Sequence, residues 1–254
     1  MQAKKHLGQN FLTSIPARLA IVEAGQVTPS DTVLEIGPGK GFLTEELLKT
    51  KARVLALEKD TDLIPLLTEK FLSHSNFSLV EGDALTYEPP QTQYKLIANI
   101  PYYITGAIFE RYLSHTHQPS TLVVLIQKEV AERIVARDKK ESILSLSVKA
   151  YGEPKLVYRV SKGSFNPAPT VDSAVLAVYN ISRKNFTNQY HEALYFKTLK
   201  AGFAHKRKLL ISNIKEAFPT KNIPALFEKL GIPPKARAED VTLPLWISLS
   251  KELL

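Results

Sequence analysis

Val33-Leu34-Glu35-Ile36-Gly37-Pro38-Gly39-Lys40-Gly41 reads as a short buried strand that runs into a glycine-rich turn, with Glu35 two residues before the first glycine. Phe42, Leu43, Leu47 and Leu48 then recur at helical spacing. Strand, turn and helix start together make a ligand cradle. Glycine lets the backbone approach a bound molecule, and the helix end offers free N–H donors and a partial positive charge. The spacing is G-x-G-x-G, whereas a dinucleotide turn needs its third glycine one residue later.

Working outward, three further apolar runs end in groups suited to a ligand. Val54-Leu55-Ala56-Leu57 ends at Glu58, about 20 positions beyond the glycines, where a carboxylate accepts hydrogen bonds from both ribose hydroxyls and repels a phosphorylated ribose. Phe77-Ser78-Leu79-Val80 ends at Glu81-Gly82-Asp83-Ala84, which puts Asp83 where it could accept the exocyclic amine of an adenine. Lys95-Leu96-Ile97-Ala98 ends at Asn99-Ile100-Pro101-Tyr102. Each of these groups alone is an ordinary loop residue. Four successive strand ends of this kind predict an open α/β sheet with its ligand at the carboxyl edge. Upstream, Thr13 or Ser14 caps a helix that has Pro16 in its first turn and stops near Gly25, and Leu122-Val123-Val124-Leu125-Ile126 reads as a buried central strand.

At 254 residues and 44% hydrophobic content, the chain can bury a core large enough for one domain with an appendage or for two domains. The absence of cysteine excludes a disulfide framework and any cysteine-based zinc site, and it fits a reducing compartment. The six histidines are scattered, so no metal site is expected. The first eight residues hold no apolar signal region, and no later run reaches membrane-spanning length; a soluble, cytoplasmic protein is expected. Charge is unevenly placed. Residues 1–181 carry 20 Lys+Arg against 19 Asp+Glu, while residues 182–254 carry 13 against 6. A basic lobe beside a neutral one is the footprint of a polyanion partner.

Near residue 181 the strand pattern gives way to helical ones over Tyr190–Phe203, Lys206–Phe218, Ile223–Leu230 and Leu243–Leu254. Two domains are therefore expected, an α/β domain over residues 1–181 and a basic helical domain over 182–254. Lys206, Arg207 and Lys208 are the phosphate-contact candidates.

Glu35 to Gly41, Glu58, Gly82-Asp83-Ala84 and Asn99-Ile100-Pro101-Tyr102 together resemble the S-adenosylmethionine-dependent ribosomal RNA adenine N6-methyltransferases. That family includes the small-subunit adenine dimethyltransferases and the erythromycin-resistance methylases of large-subunit RNA. The resemblance covers nearly the whole chain. It implies a Rossmann-like class I methyltransferase sheet with a small C-terminal all-helical domain. It also implies S-adenosyl-L-methionine as cofactor, held by Asn10, Leu12, Gly37, Gly39, Glu58, Asp83 and Asn99, with Gln9-Asn10-Phe11-Leu12 closing over it. The proline loop that begins at Phe165 would stand at the active-site rim, with Phe165 offering a second face to the target base. The implied partner is ribosomal RNA within an immature small ribosomal subunit, met by a monomer without metal or membrane.

The chemistry makes Asn99-Ile100-Pro101-Tyr102 intelligible. An adenine amine is a poor nucleophile because its lone pair is delocalised into the ring. If its N–H groups donate to the Asn99 side-chain oxygen and the Ile100 carbonyl, the nitrogen is drawn toward tetrahedral geometry and its developing positive charge is stabilised. Pro101 biases Ile100 toward an extended conformation, and Tyr102 can stack on the base. The expected activity is dimethylation of unpaired adenines in small-subunit RNA. Val171-Asp172-Ser173-Ala174-Val175 and the C-terminal Lys206-Arg207-Lys208-Leu209-Leu210 resemble that branch more than the resistance methylases, and the choice between the two rests on this resemblance. An RNA-binding assembly or transcription factor without turnover is the alternative of another class.

Overall fold

Short apolar strands alternating with helices dictate parallel pairing, since each parallel neighbour must be reached by a crossover. A computed structural model describes Lys4, residues 7–205 and residues 207–254. Its strands are β1 (Phe11–Leu12), β2 (Thr32–Ile36), β3 (Arg53–Glu58), β4 (Phe77–Glu81), β5 (Lys95–Asn99), β6 (Thr121–Gln127), β7 (Glu153–Val160), β8 (Phe165–Asn166) and β9 (Ser173–Tyr179). The helices are α1 (Ile15–Ala24), α2 (Phe42–Lys49), α3 (Ile64–Phe71), α4 (Thr105–Leu113), α5 (Lys128–Ile134), α6 (Ile143–Lys149), α7 (Gln189–Gly202), α8 (Leu210–Ala217), α9 (Ile223–Leu230) and α10 (Leu243–Glu252).

Seven strands form one sheet in the order β4-β3-β2-β5-β6-β9-β7. Pairing is parallel from β4 to β6 and antiparallel at β6·β9 and β9·β7. Leu122 to Ile126 are wholly buried, as a central strand covered on both faces requires. The chain order reverses between β2 and β5, and such a switch opens a crevice at the carboxyl edge. Helix α1 begins where the Ser14 hydroxyl accepts the Ala17 N–H, carries a proline in its first turn and is capped at Gly25, all as the sequence predicts. β1 and β8 make a separate antiparallel pair, Phe11 opposite Asn166 and Leu12 opposite Phe165.

Backbone contacts divide the chain into two units. One holds the described residues up to Ala131 with Glu153–Ile181; the other holds Glu132–Gly152 with Ser182–Leu254. These units differ from the expected division into 1–181 and 182–254, because Glu132–Gly152 groups with the helical residues rather than with a continuous 1–181 domain. The reason is packing. Leu146 and Ala150 of α6 lie in one buried cluster with Tyr195, Leu199, Leu210, Ile214, Phe227 and Trp246, and the Tyr195 hydroxyl donates to the Leu146 carbonyl.

Helix α8 starts at Leu210, four residues later than the periodicity suggests. The Asn213 amide donates to the Gly202 and His205 carbonyls and so closes a turn ahead of the helix. Arg207 and Lys208 sit exposed in that turn, whereas Lys206 lies outside the described residues. His191 is a satisfied core histidine: Nδ1 accepts the Thr187 N–H and Nε2 meets the Ser250 hydroxyl. Among the described residues no His/Cys/Asp/Glu group could hold a metal ion, and no helix is long and apolar enough to cross a membrane.

Candidate active site

The strand ends are stapled at one level. The Gly37 N–H donates to the Leu57 carbonyl at 2.9 Å and the Gly82 N–H to the Glu58 carbonyl at 2.8 Å, while Asn99 pairs with Leu125 on the far side of the switch. Between them opens a cleft of about 980 Å³, counted with its open mouth. Asn10, Gly37, Gly39, Glu58, Asp83, Asn99, Ile100, Pro101 and Tyr102 all line it.

The glycine turn is shaped for close approach. Gly37 has φ of +68°, and a Cβ added there would lie 3.7 Å from the Asn99 carbonyl. At Gly39, with φ of +60°, a Cβ would come within 3.0 Å of the Phe11 ring. Glu58 is buried at the end of β3; its Oε2 accepts the Gly39 N–H at 3.0 Å and its Oε1 the Asp60 N–H at 2.8 Å. Burial raises its carboxyl, and those N–H groups oppose the rise. Asp83 is held below the ordinary carboxylate range by the Lys59 ammonium at 2.8 Å and by the Leu85 N–H. The acidic wall and glycine floor suit a cationic ligand that carries ribose hydroxyls and an adenine amine, and they suit phosphates poorly.

Asn99 is oriented. Its Nδ2 donates to the Asn10 carbonyl at 3.2 Å, which turns the Oδ1 end of the amide away as an acceptor. Pro101, at φ −56°, opens a turn over Tyr102–Ile104. The Tyr102 hydroxyl lies 2.6 Å from the buried Ser173 hydroxyl, and burial raises it above an ordinary phenol.

Some expected contacts are placed elsewhere. The Leu12 and Phe165 side chains lie in the buried core, 3% and 5% exposed, because the β1·β8 pairing turns them inward. Phe165 therefore offers no face to a base here, and Phe11 takes the wall position beside Asn10. Arg207 and Lys208 belong to the helical unit, and Lys208 pairs loosely with Glu216 at 3.5 Å.

Sequence reasoning gave no role to Asp60, which lies 4% exposed just beyond β3. It accepts Lys4 Nζ at 2.6 Å and Gln9 Nε2 at 2.6 Å. Burial pushes its carboxyl up, but Lys4, Gln9 and the Asp62 N–H more than offset this and hold it low. Its position two residues after Glu58, at a strand end, was the available signal. Tyr103, 66% exposed at the mouth, was likewise passed over.

Beneath the glycine turn, Glu35 is 1% exposed, and neither carboxyl oxygen has a hydrogen-bond partner among the described residues. Burial pushes its carboxyl up to about 8; the nearby Thr44 hydroxyl opposes the rise, and the neighbouring Glu58 charge adds to it. The folded chain thus keeps a proton that the unfolded chain releases near 4.5. Stability from this group is full below the unfolded value and is lost as pH rises toward about 8, at roughly 1.4 kcal/mol per pH unit at most. Glu35→Gln should flatten that decline in urea denaturation between about pH 5 and pH 8; an unchanged slope would show that Glu35 is not its source.

Residues 1–254 match the family described as ribosomal RNA adenine dimethylase. The chain is 40% identical over 259 residues to ribosomal RNA small subunit methyltransferase A of Dehalococcoides mccartyi, covering 99% of this chain and 89% of that protein. It is 37% identical over 247 residues to the protein of the same name from Clostridium botulinum, covering 94% and 90%. Among solved structures it resembles a dimethyladenosine transferase from Plasmodium falciparum, with TM-score 0.85, 25% identity and 95% and 96% coverage. It also resembles the 23S rRNA methyltransferase ErmE, with TM-score 0.81, 27% identity and 96% and 99% coverage. With a match that spans the whole chain, this protein belongs to the ribosomal RNA adenine dimethylase family.

Proposed function

We propose that this chain dimethylates N6 of unpaired adenines in small-subunit ribosomal RNA, using S-adenosylmethionine, and that it meets that RNA as a monomer on an immature small ribosomal subunit. The observation that carries the reading is Asn99 at the end of β5, with its amide nitrogen held by the Asn10 carbonyl and its oxygen left to accept. Membership of the family and the small-subunit names of its relatives support the RNA. ErmE is related in fold, at 27% identity against 40% for the small-subunit relative, which disfavours large-subunit RNA.

The cofactor fits the cleft. Glu58 would hold its ribose, Asp83 its adenine amine, and the Gly37–Gly39 turn and Asn10 its remaining length. When bound, S-adenosylmethionine supplies a methyl group activated on a sulfonium. The protein's own contribution is alignment, worth on the order of several kcal/mol. The Asn99 Oδ1 and the Ile100 carbonyl accept the N–H groups of the adenine amine, free its lone pair and stabilise the positive charge that grows on nitrogen. Tyr102, braced by Ser173, offers its ring to the base. A base paired in a duplex cannot present that amine, so the target must be a loop or flipped adenine. No strong general base is needed, because the alkylated ammonium is itself very acidic.

Incubation with labelled cofactor and separate immature small and large subunits should place methyl groups on small-subunit RNA, two per target adenine by mass. Incorporation only into large-subunit RNA would overturn the assignment. Replacing Lys206, Arg207 and Lys208 by Ala should weaken RNA binding and flatten its dependence on salt, each lost phosphate contact reducing the slope by about 1. An unchanged slope would remove the cluster from the interface.

A further inference from the structure

The amide of Asn99 is useful to an amine in only one orientation. With Oδ1 forward it accepts the substrate N–H; with Nδ2 forward it opposes it, donor against donor. What selects the orientation is the Asn10 carbonyl, which takes Nδ2 at 3.2 Å. That carbonyl lies 89 residues away in sequence, immediately ahead of β1. The segment is pinned on both sides. C-terminally, Phe11 and Leu12 pair with Asn166 and Phe165, and the Thr13 N–H donates to the Ser164 carbonyl at 2.8 Å. N-terminally, the Lys4 and Gln9 side chains converge on Asp60.

Asp60 has both oxygens committed. Oδ1 takes Lys4 Nζ at 2.6 Å and the Asp62 N–H at 3.2 Å, while Oδ2 takes Gln9 Nε2 at 2.6 Å. Gln9 in turn accepts the Lys4 backbone N–H through Oε1 at 2.8 Å, and Lys4 Nζ also reaches Asp62 at 2.6 Å. Lys4, Gln9 and Asp60 thus close a ring of three contacts immediately before Asn10. A buried carboxylate without partners would be costly, so the folded state favours keeping the ring closed.

We propose that Asp60 is a positioning residue, clasping Lys4 and Gln9 so that the Asn10 carbonyl holds the Asn99 amide with its oxygen toward the target amine. The clasp rests on the reading of Asn99 given above, and it assigns Asp60, Gln9 and Lys4 a task apart from touching either substrate. Opening it frees one side of Asn10 and leaves the Asn99 amide to reorient, while β1·β8 still anchors the other side.

The test uses Asp60→Asn, Gln9→Ala and Lys4→Ala, with Lys4→Arg as the conservative control. In the first three, amide hydrogen exchange at Asn10 and Phe11 should speed up, and kcat on small-subunit RNA should fall about tenfold with KM for RNA unchanged. Lys4→Arg should behave like the wild type. Lys4 lies at the surface, so its removal tests the clasp even if Asp60→Asn unfolds the chain. Unchanged exchange and kcat in Gln9→Ala and Lys4→Ala would overturn the proposal. So would a lower melting temperature in Asp60→Asn with kcat intact, which would leave Asp60 a structural cap. Titration of the wild-type chain with S-adenosylhomocysteine separates the two readings. If it does not bind, the cofactor reading fails, while exchange still reports on the clasp.

Discussion

Backbone hydrogen bonds across β4, β3, β2 and β5 bring four parallel strands to an end at one level, and the strand order reverses between β2 and β5. The chemistry of the cleft depends on that constraint. Each strand delivers one group at its carboxyl end: the Gly37–Gly39 turn, Glu58, Asp83 beyond Gly82, and Asn99. A register slip of one residue in any strand would turn its side chains to the other face and remove its group from the site. The glycine floor and the acidic wall are thus consequences of sheet register as much as of residue identity.

The two units divide the electrostatic work. In the α/β unit the cleft is lined by carboxylates, suited to a cationic cofactor with hydroxyls and an amine, while the positive excess lies among residues 182–254. A binding factor without turnover would have no use for Glu58, Asp83 and an oriented Asn99 in one cleft.

Much of this was legible in the sequence because it is local. The glycine turn, the Ser14 cap of α1 and the strand-end positions of Glu58, Asp83 and Asn99 follow from patterns a few residues long. What was missed is non-local. Phe165 and Leu12 were expected at the cofactor or the base, yet their side chains turn into the core because β1 pairs with β8 across about 150 residues, a pairing that no local periodicity announces. Residues Glu132–Gly152 join the helical unit because Leu146 and Ala150 of α6 find their apolar partners there. The late start of α8 follows from one side chain, Asn213, taking carbonyls from the preceding turn. Asp60 stood two residues beyond Glu58, which was already singled out, but its meaning depends on Lys4 and Gln9, more than 50 positions away.

The central claim is that the oriented Asn99 amide makes the adenine amine reactive. It is tested most directly by comparing Asn99→Ala with the wild type for single-turnover methylation of small-subunit RNA and, in parallel, for RNA binding. RNA binding should be retained and the methylation rate should fall about 100-fold or more, as when one preorganised partner of developing charge is removed. Turnover at the wild-type rate would take Asn99 out of the mechanism and contradict the account.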